Sequence, residues 1–281
     1  MLLPFLLLGC CCAASSAGSS SSTRSATFTA ACSSRTDCSN ELQAALYSGA
    51  PTIRIPDLGF PWRVCKVKGQ VEDGLAMNIS NTVLIFDPGV VIEAAPGCFG
   101  SIKDPNSTAT LLSTRNRGPH PCYPDFLGGG ACSENLTILG YGATLRMRKN
   151  DYTNASIYAK NAYRGGLYIY RASNFAIFGL TVTLTGGDGL YIHECASCHF
   201  ADLNLTDNYR QACSVISARD TLFDNCSFLN TGMTGGIAPQ VCPSYLRYLF
   251  AAAVLCLRYY ICCAVCLSPR VLCRRPSPPA A

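Results

Sequence analysis

Gly166-Leu167-Tyr168-Ile169 returns 23 positions later as Gly189-Leu190-Tyr191-Ile192, and once more, weakly, as Ala212-Cys213-Ser214-Val215. Other apolar positions share this spacing: Ile177, Phe200 and Phe223; Leu180, Leu203 and Cys226; Val182, Leu205 and Phe228. Within each repeat the apolar residues alternate, which is the periodicity of a strand. A fixed period of this length indicates a solenoid whose repeats bury their faces against their neighbours. The sequence therefore predicts an all-β fold, a single-stranded parallel β-helix with ~23 residues per coil.

The repeat occupies only part of the chain. Residues 1–17 carry an apolar run followed by small residues, which indicates a secretory signal peptide; a buried N-terminal strand is the alternative. Residues 18–35 are rich in Ser and predict a linker. Residues 36–240 form the predicted β-helix domain, opened by a short amphipathic helix at Asn40–Leu46 that we expect to cap the first coil. Residues 96–133 are rich in Gly, Pro and Cys and predict a long loop leaving the solenoid.

Residues 241–281 show no trace of the 23-residue period and are rich in Cys, Arg and apolar residues. One interpretation is a membrane segment at 245–267, although Arg258 would then lie near its middle at a cost of roughly 2.5 kcal/mol or more. The other, which we favour, is translation into a retained intron after Gln240, which would leave the solenoid truncated or aberrant at its C-terminal end. Membrane association is expected only if the segment is genuine.

Charge and glycosylation motifs favour an extracellular protein without a nucleic-acid partner. The net charge of +5 is modest, and five Arg lie in the tail, so nothing argues for nucleic acid. We predict glycosylation at five sequon asparagines, namely Asn78, Asn106, Asn135, Asn154 and Asn204. A sixth sequon, at Asn225, stands beside a predicted core column. The sequence thus predicts a secreted, extracellular glycoprotein.

Cysteine usage agrees with export. Ten of the 19 Cys lie between positions 32 and 226, and an even number in an exported chain favours disulfides. Cys195-Ala-Ser-Cys198 predicts a local disulfide closing a turn. A zinc site is the alternative, but no second Cys or His pair with ligand spacing stands nearby. Cys213 and Cys226 fall in apolar columns and are predicted to be core residues.

Four stretches resemble the pectin-lyase-like right-handed parallel β-helix superfamily: Leu42–Leu46, Ile53-Arg-Ile-Pro56, Asn81–Ile92 and Asn135–Gln240. Secreted members of this superfamily often begin with a helix and an Ile-Pro first strand. The resemblance implies that the parallel β-helix winds in the right-handed sense and that the partner is a polysaccharide. It leaves the reaction open, because the superfamily includes pectate lyases, polygalacturonases, uronate epimerases and non-catalytic adhesins. The Asp-Asp pair and Gly-His-Gly set of polygalacturonases and the Asp-Pro-His-Asp of uronate epimerases are not found in this sequence.

Superposing the coils predicts which side chains share one outer face. If Leu167 and Ile169 point inward, the outward columns are Arg164, Gly187 and Arg210; Tyr168, Tyr191 and Ser214; Tyr170, His193 and Ile216. Aromatic faces stack on sugar rings and Arg forks pair with carboxylates. We therefore predict that Arg164, Tyr168, Tyr170 and Tyr191 bind an acidic glycan. An ordinary exposed sheet with Tyr at favoured positions is the alternative.

Asp188 is the strongest catalytic candidate, because it follows Gly186-Gly187 and has Arg residues diagonally near. Arg210, His193 and Asp207 complete the predicted catalytic set. For a lyase, Arg210 or His193 would be the base, with Asp188 and Asp207 as weak Ca²⁺ ligands; no other cofactor is implied. For a hydrolase, two carboxylates must flank the bond, and Asp188 would pair with Asp207 or Glu194. Turn-forming Asp188 and Asp207, and a structural ion pair between Glu194 and Arg171, are the alternatives.

These observations predict a monomer that cleaves acidic polysaccharide as a lyase or hydrolase. Two other functions stay open: a non-catalytic module that binds glycan or serves in adhesion, and an inactive truncated product. The physical reason for an inactive truncated product is that a solenoid that ends without a cap leaves an open strand edge.

Overall fold

The computed structural model describes residues 27–70, 73–100, 109–115, 132–159, 163–232, 263–265 and 271–274. Within them the regular secondary structure is almost entirely strand, with one α-helix, α1 (Ser39–Leu46), and a 3₁₀ turn at Asp151–Thr153. The strands are β1 (Thr27–Thr29), β2 (Thr52–Ile55), β3 (Trp62–Val64), β4 (Leu75–Ala76), β5 (Thr82–Phe86), β6 (Val91–Ala94), β7 (Thr110–Ser113), β8 (Ser133–Arg146), β9 (Gly165–Thr183), β10 (Leu190–Ala196), β11 (His199–Ala201), β12 (Asn204–Thr206), β13 (Cys213–Arg219), β14 (Thr221–Asp224), β15 (Ser227–Leu229), β16 (Cys263–Val265) and β17 (Val271–Arg274).

The strands pair in parallel and the sheet curls around one core. One ladder runs through β4, β7, the start of β9, β10 and β13. A second runs through β2, β5, the start of β8, the middle of β9, β11 and β14. A third runs through β3, β6, the ends of β8 and β9, β12 and β15. The all-β, parallel architecture predicted from the sequence is therefore present; right-handed, single-stranded winding stays a prediction.

Coil length differs between the two halves of the chain. Leu167 pairs with Leu190, and Leu190 with Cys213, so this part keeps the sequence spacing of 23. Near the N-terminus, Trp62 pairs with Ile92, 30 positions later. The early coils have longer connections between their strands, so a single period does not describe the whole sheet.

The long strands bend where a residue adopts the left-handed backbone conformation. In β9 these are Arg171, Asn174 and Gly179, with φ of 50°, 48° and 73°. Asn tolerates this conformation and Gly adopts it freely, so such residues mark the corners of the curled sheet. Corners stack as strands do: the amide nitrogen of Asn135 donates to the side-chain oxygen of Asn81 at 3.0 Å.

The core consists of the alternate residues that face inward from the three ladders. Phe200 and Phe223 stack with ring centroids 4.9 Å apart, in the column predicted from the sequence. Cys213 is buried, as expected for a core position. The chain's single tryptophan, Trp62, is fully buried, and its indole nitrogen donates to the carbonyl of Pro56 at 2.9 Å. Each such large apolar side chain contributes about 1.5–3 kcal/mol on burial.

Helix α1 packs its apolar side on this core. Leu42, Ala45 and Leu46 are buried, at the i, i+3, i+4 spacing of one helix face. Gln43 fixes the helix to β4, because its amide donates to the carbonyl of Ala76 and accepts from the Ala76 N–H, both at 2.9 Å. The helix predicted near Asn40–Leu46 is present; its role as a cap stays a prediction.

Among the described residues three disulfides are formed, Cys32–Cys38, Cys65–Cys98 and Cys195–Cys198. The predicted Cys195–Cys198 bridge is confirmed. The first bridge and strand β1 lie within or beside residues 18–35, so part of the predicted linker pairs with β2 instead. The Thr-Phe-Thr sequence of β1 has high strand propensity, which accounts for this difference.

The predicted signal peptide, residues 1–17, lies outside the described residues. In the predicted tail, β16 pairs in parallel with β13 and β17 with β14, so these short strands continue two of the ladders. The intron and membrane interpretations of residues 241–281 stay predictions. Among the described residues, no helix has the length and apolar character needed to cross a membrane.

Candidate functional site

The predicted outer columns meet on the ladder formed by β7, β9, β10 and β13. Tyr168 pairs with Tyr191, and Tyr191 with Ser214, while the intervening Leu167 and Leu190 are buried. In the next column Tyr170 pairs with His193. We call Tyr168, Tyr170, Tyr191 and His193, with Asp188 and Arg210 at their border, the Tyr/Arg face.

A register shift after Ile192 changes one predicted column. Ile216 was expected to continue the line of Tyr170 and His193, but His193 pairs with Ser217. The bulge inserts an extra residue into β13, which displaces Ile216 from that line. The Tyr/Arg face therefore ends in a small polar residue rather than an apolar one.

The aromatic rings of this face stack on one another. The centroids of Tyr168 and Tyr191 are 4.5 Å apart with an interplanar angle of 22°, and those of Tyr170 and His193 are 5.2 Å apart at 20°. A ring face covered by its neighbour cannot also cover a sugar ring. Stacking covers one face of each ring in these two pairs, so less ring surface is left for a sugar than the sequence predicts, and glycan binding by these rings stays a prediction.

Burial raises the pKa of two tyrosine hydroxyls of this face. It raises the pKa of Tyr168 well above its usual value, and the neighbouring Tyr191 adds to the effect. Burial also raises the pKa of Tyr170, as does the charge of Glu194. The Arg115 guanidinium opposes both shifts without reversing them. Both phenols are therefore neutral hydrogen-bond donors near neutral pH.

Asp188 and Arg210 form a bidentate ion pair at the border of the face. Arg210 Nε and Nη2 donate to the two carboxylate oxygens of Asp188, each at 2.8 Å. Ser214 Oγ donates to the same carboxylate at 2.8 Å, and the backbone N–H of Gln211 also bonds to it. A carboxylate has about four lone-pair directions, and these four donors account for them.

Burial is the largest influence on the pKa of the Asp188 carboxyl group. Its side chain is 5% exposed, and burial raises the pKa of the carboxyl group above its ordinary 3.8. Arg210 and Ser214 oppose this rise but do not cancel it. The charged carboxylate of Asp188 therefore depends on Arg210 as its counterion.

Arg210 also faces outward. Its side chain is 26% exposed, and its guanidinium lies 5.5 Å from the ring centroid of the exposed Tyr163. Two of the five N–H donors of an arginine are engaged with Asp188 through Nε and Nη2. The remaining N–H donors of Arg210 are able to bind a further acceptor, and its predicted catalytic role stays a prediction.

The turn that carries Asp188 requires small residues. A side chain at Gly186 would place its Cβ 2.5 Å from the Tyr152 ring, and one at Gly189 would lie 2.6 Å from the Ala212 carbonyl. The buried amide of Asn208 holds the turn, since its oxygen accepts from the Thr185 N–H and its nitrogen donates to the Val182 carbonyl, both at 3.4 Å. These contacts fix Asp188 against the sheet.

Arg164 does not lie on the Tyr/Arg face, contrary to the expectation from superposed coils. It is 1% exposed, and its guanidinium donates to the carbonyls of Phe99, Gly100 and Ala159 at 2.5–3.1 Å. The guanidinium also lies 4.9 Å from the ring centroid of Tyr152. Phe99 and Gly100 pack against Arg164, so this residue ties their segment to the sheet and is not accessible to a substrate.

The other predicted carboxylates are engaged in ion pairs of their own. Asp207 pairs with Lys149 at 2.9 Å, and its φ of 55° places it at a corner of the sheet. Glu194 pairs with Arg171 at 3.3 Å, as the structural interpretation of the sequence predicted. Asp188 pairs with Arg210 and Asp207 with Lys149, and the role of these two carboxylates as calcium ligands stays a prediction. In the described part of the chain no group of three or more acidic, His or Cys side chains is suited to a metal ion.

Two features near the face were not predicted from the sequence. Arg115, two residues after β7, lowers the pKa values of both Tyr168 and Tyr170 through its charge. A cleft of about 310 Å³ lies beyond the Asp188 turn and is lined by Lys149, Tyr152, Thr153, Ala155, Tyr158, Gly186 and Tyr209. Both involve contacts across long separations in sequence, which the 23-residue spacing does not indicate.

The asparagines of the predicted glycosylation sites differ in how far they are exposed to solvent. Asn78 is 6% exposed and its side-chain oxygen accepts from the Tyr47 hydroxyl at 2.5 Å, so this sequon is closed in the folded chain. Asn135 and Asn154 are exposed, and Asn204 is half-buried. Asn106 lies outside the described residues.

No family model matches the chain, and no curated protein sequence matches it. The solved structures whose backbone is similar to part of this chain include the following three. ORF18 of Geobacillus virus E2 matches with a TM-score of 0.45 and 15% identity, covering 71% of this chain and 36% of its own. An iota-carrageenase complexed with iota-carrageenan fragments matches with a TM-score of 0.48 and 12% identity over 72% of this chain and 43% of its own. A candidate glycosyl hydrolase from Parabacteroides merdae matches with a TM-score of 0.42 and 10% identity over 75% and 99%. The chain thus spans less than half the length of the first two.

Proposed function

We propose that this protein acts on acidic polysaccharide at the Tyr/Arg face. The observation that carries the proposal is the position of Arg210, fixed by Asp188 at the border of a line of phenol and imidazole edges. A partly exposed guanidinium binds a uronate carboxylate or a sulfate, and the phenols donate hydrogen bonds to sugar hydroxyls. The ligand class is therefore an acidic glycan.

Of the two reaction types, elimination suits the face better than hydrolysis. A hydrolase needs two carboxylates flanking the bond, whereas Asp188, Glu194 and Asp207 each meet a cation. A lyase needs a cation on the uronate carboxylate and a base for the C5 proton. Arg210 supplies the first and His193 the second. The C5–H electron pair then forms the C4–C5 double bond as the C4–O bond breaks, and a Tyr170 hydroxyl proton goes to the leaving oxygen.

In this scheme Asp188 positions Arg210 and does not itself take a proton. Its four donors leave no lone pair directed at a substrate, and the bidentate geometry holds the guanidinium plane in one orientation. Asp207 has no role in the step, since it pairs with Lys149.

The second candidate is binding without turnover. It is favoured by the closed hydrogen-bond set of Asp188 and by the mutual stacking of Tyr170 and His193, which covers one face of the imidazole. Such a surface would hold an acidic glycan in a wall or matrix. Three disulfides in the described residues agree with an oxidising, extracellular setting for either function. We expect a secreted monomer.

The test is a comparison of the full chain with two variants on pectate, alginate and sulfated algal glycans. The proposed lyase releases unsaturated product that absorbs in the ultraviolet, whereas a hydrolase releases reducing ends without it. His193→Gln should abolish product while glycan binding survives. Arg210→Lys keeps a cation beside Asp188 but loses the fork, so it should weaken binding.

Arg54→Lys is the matched control, because Arg54 forms an exposed ion pair with Asp87 away from the Tyr/Arg face. Its activity and binding should equal those of the wild type. Folded wild-type protein that binds glycan without product would establish the second candidate. Folded protein that neither binds nor cleaves any acidic glycan would refute both.

A further inference from the structure

A second cationic cluster lies on the ladder formed by β3, β6 and β8, outside the Tyr/Arg face. Arg63, Glu93 and Arg146 stand in register on these strands. Glu93 is 7% exposed, and among the described residues it meets three arginines: Arg146 Nη2 at 2.9 Å, Arg63 Nε at 3.4 Å and Arg148 Nη1 at 3.8 Å. One carboxylate is thus shared by three guanidinium groups.

The cluster keeps a surplus of positive charge after its neighbours are included. Arg148 also pairs with Asp151, and the adjacent Lys149 pairs with Asp207. Four cations therefore face three carboxylates. Arg63, Arg146 and Arg148 have side chains that are 36%, 37% and 27% exposed, so solvent ions reach them.

A hollow of about 250 Å³ opens beside Glu93. It is lined by Glu93, Arg146, Met147, Arg148, Lys149, Asn150, Asp151 and Leu184. The Nε atom of Arg146 is buried and has no hydrogen-bond acceptor among the described residues. An N–H donor of a charged group that is buried without an acceptor is costly, so a rearrangement of Arg146 that brings its Nε to an oxygen acceptor is favoured.

We propose that this arginine hollow binds an oxyanion, with the partly exposed guanidinium groups of Arg146 and Arg148 as its donors. Arginine forks match the geometry of tetrahedral oxyanions and bind them in bidentate fashion. The chemistry is shared by free sulfate or phosphate and by the sulfate ester of a glycan. The proposal does not depend on the Tyr/Arg face, because the two sites use different cations.

The hollow also has an internal competitor. Glu93 occupies the same guanidinium groups, so an incoming anion must share them with a carboxylate that is already buried. Glu93→Gln removes this competitor while keeping the shape of the side chain. This variant should therefore bind the oxyanion more tightly than the wild type.

The test titrates the full chain with sodium sulfate and, separately, with sodium phosphate, at constant ionic strength set by sodium chloride. The readouts are the thermal unfolding midpoint and the ¹⁵N resonances of the arginine Nε–H groups. We expect sulfate to raise the midpoint and to shift the Arg146 Nε resonance in a saturable manner. Arg146→Gln should weaken binding about tenfold or more, and Arg54→Gln should leave it unchanged.

A sulfated oligosaccharide and a uronate oligosaccharide distinguish the source of the anion. Tighter binding of the sulfated oligosaccharide than of free sulfate identifies a glycan subsite, and equal binding identifies a site for the free ion. Arg210→Lys should leave this binding intact, which separates failure here from failure of the proposed function. Equal shifts with chloride and sulfate, or equal binding by the Arg146 and Arg54 variants, would overturn the proposal. If Arg146→Gln does not fold, the wild-type resonance titration decides, and no saturable shift overturns it.

Discussion

Replacing Arg210 by methionine should expose the cost of the buried Asp188 carboxylate. Removing one member of a buried ion pair costs about 3–5 kcal/mol, because the other charge is left without its counterion. Asp188 is 5% exposed but keeps the donors Ser214 Oγ and Gln211 N–H, so we expect the lower end, about 3 kcal/mol near neutral pH. For a domain of this size that lowers the unfolding midpoint by roughly 6–12 °C.

The loss should depend on pH in a defined direction. Burial already raises the pKa of Asp188 above 3.8, and loss of Arg210 raises it further. The folded protein then binds this proton more tightly than the unfolded chain. The stability so gained is complete below 3.8 and is lost as the pH rises through the folded pKa. Arg210→Met should therefore be close to wild type at mildly acidic pH and weakest at neutral pH.

Urea unfolding followed by circular dichroism measures this effect, with wild-type slopes as the check on folding. Arg54→Met is the matched control, and loss of its exposed ion pair should leave the stability nearly unchanged at every pH. The double variant Arg210→Met, Asp188→Asn leaves no charge in the pocket and should recover most of the loss. A single variant within 1 kcal/mol of wild type at neutral pH, or a deficit that does not change with pH, would refute the reasoning.

Three further outcomes are expected. Gly166→Ala places a Cβ 2.3 Å from Val182 Cγ1 and should cost about 1–3 kcal/mol in urea unfolding, whereas Gly165→Ala, whose nearest atom is 3.5 Å away, should be nearly neutral; equal losses would contradict the packing. Phe223→Ala removes a buried, stacked ring and should cost about 3–5 kcal/mol, and a loss below 1 would show that the column is not packed as described. In protein from a eukaryotic host, mass spectrometry should find glycan on the exposed Asn154 and none on the buried Asn78.

The 23-residue spacing predicted the strand pairing of the later coils, because in these coils each residue pairs with the equivalent residue of the next repeat. Val182, Leu205 and Phe228 are in register as the spacing requires. The spacing also predicted that Asp188 and Arg210 lie close together, because both belong to the repeating turn.

Arg164 was misplaced because its surroundings come from outside the repeat. Its carbonyl partners at Phe99 and Gly100 belong to a segment more than 60 residues earlier. Gly186 pairs with Arg164 in an antiparallel bridge that breaks the column. The arginine hollow was missed for a related reason, because Arg63, Glu93 and Arg146 stand 30 and 53 positions apart in the paired strands.

The position of the single tryptophan allows the two halves of the molecule to be observed separately. Trp62 is buried in the early coils, while the stacked pair of Tyr168 and Tyr191 lies in the later ones. Indole emission would therefore follow the opening of the first half, and tyrosine absorbance the second. In a fold held by nearest-neighbour contacts, these two signals need not change together. Coincident transitions would show that the curled sheet melts as one cooperative unit, and separate ones that it opens from one end.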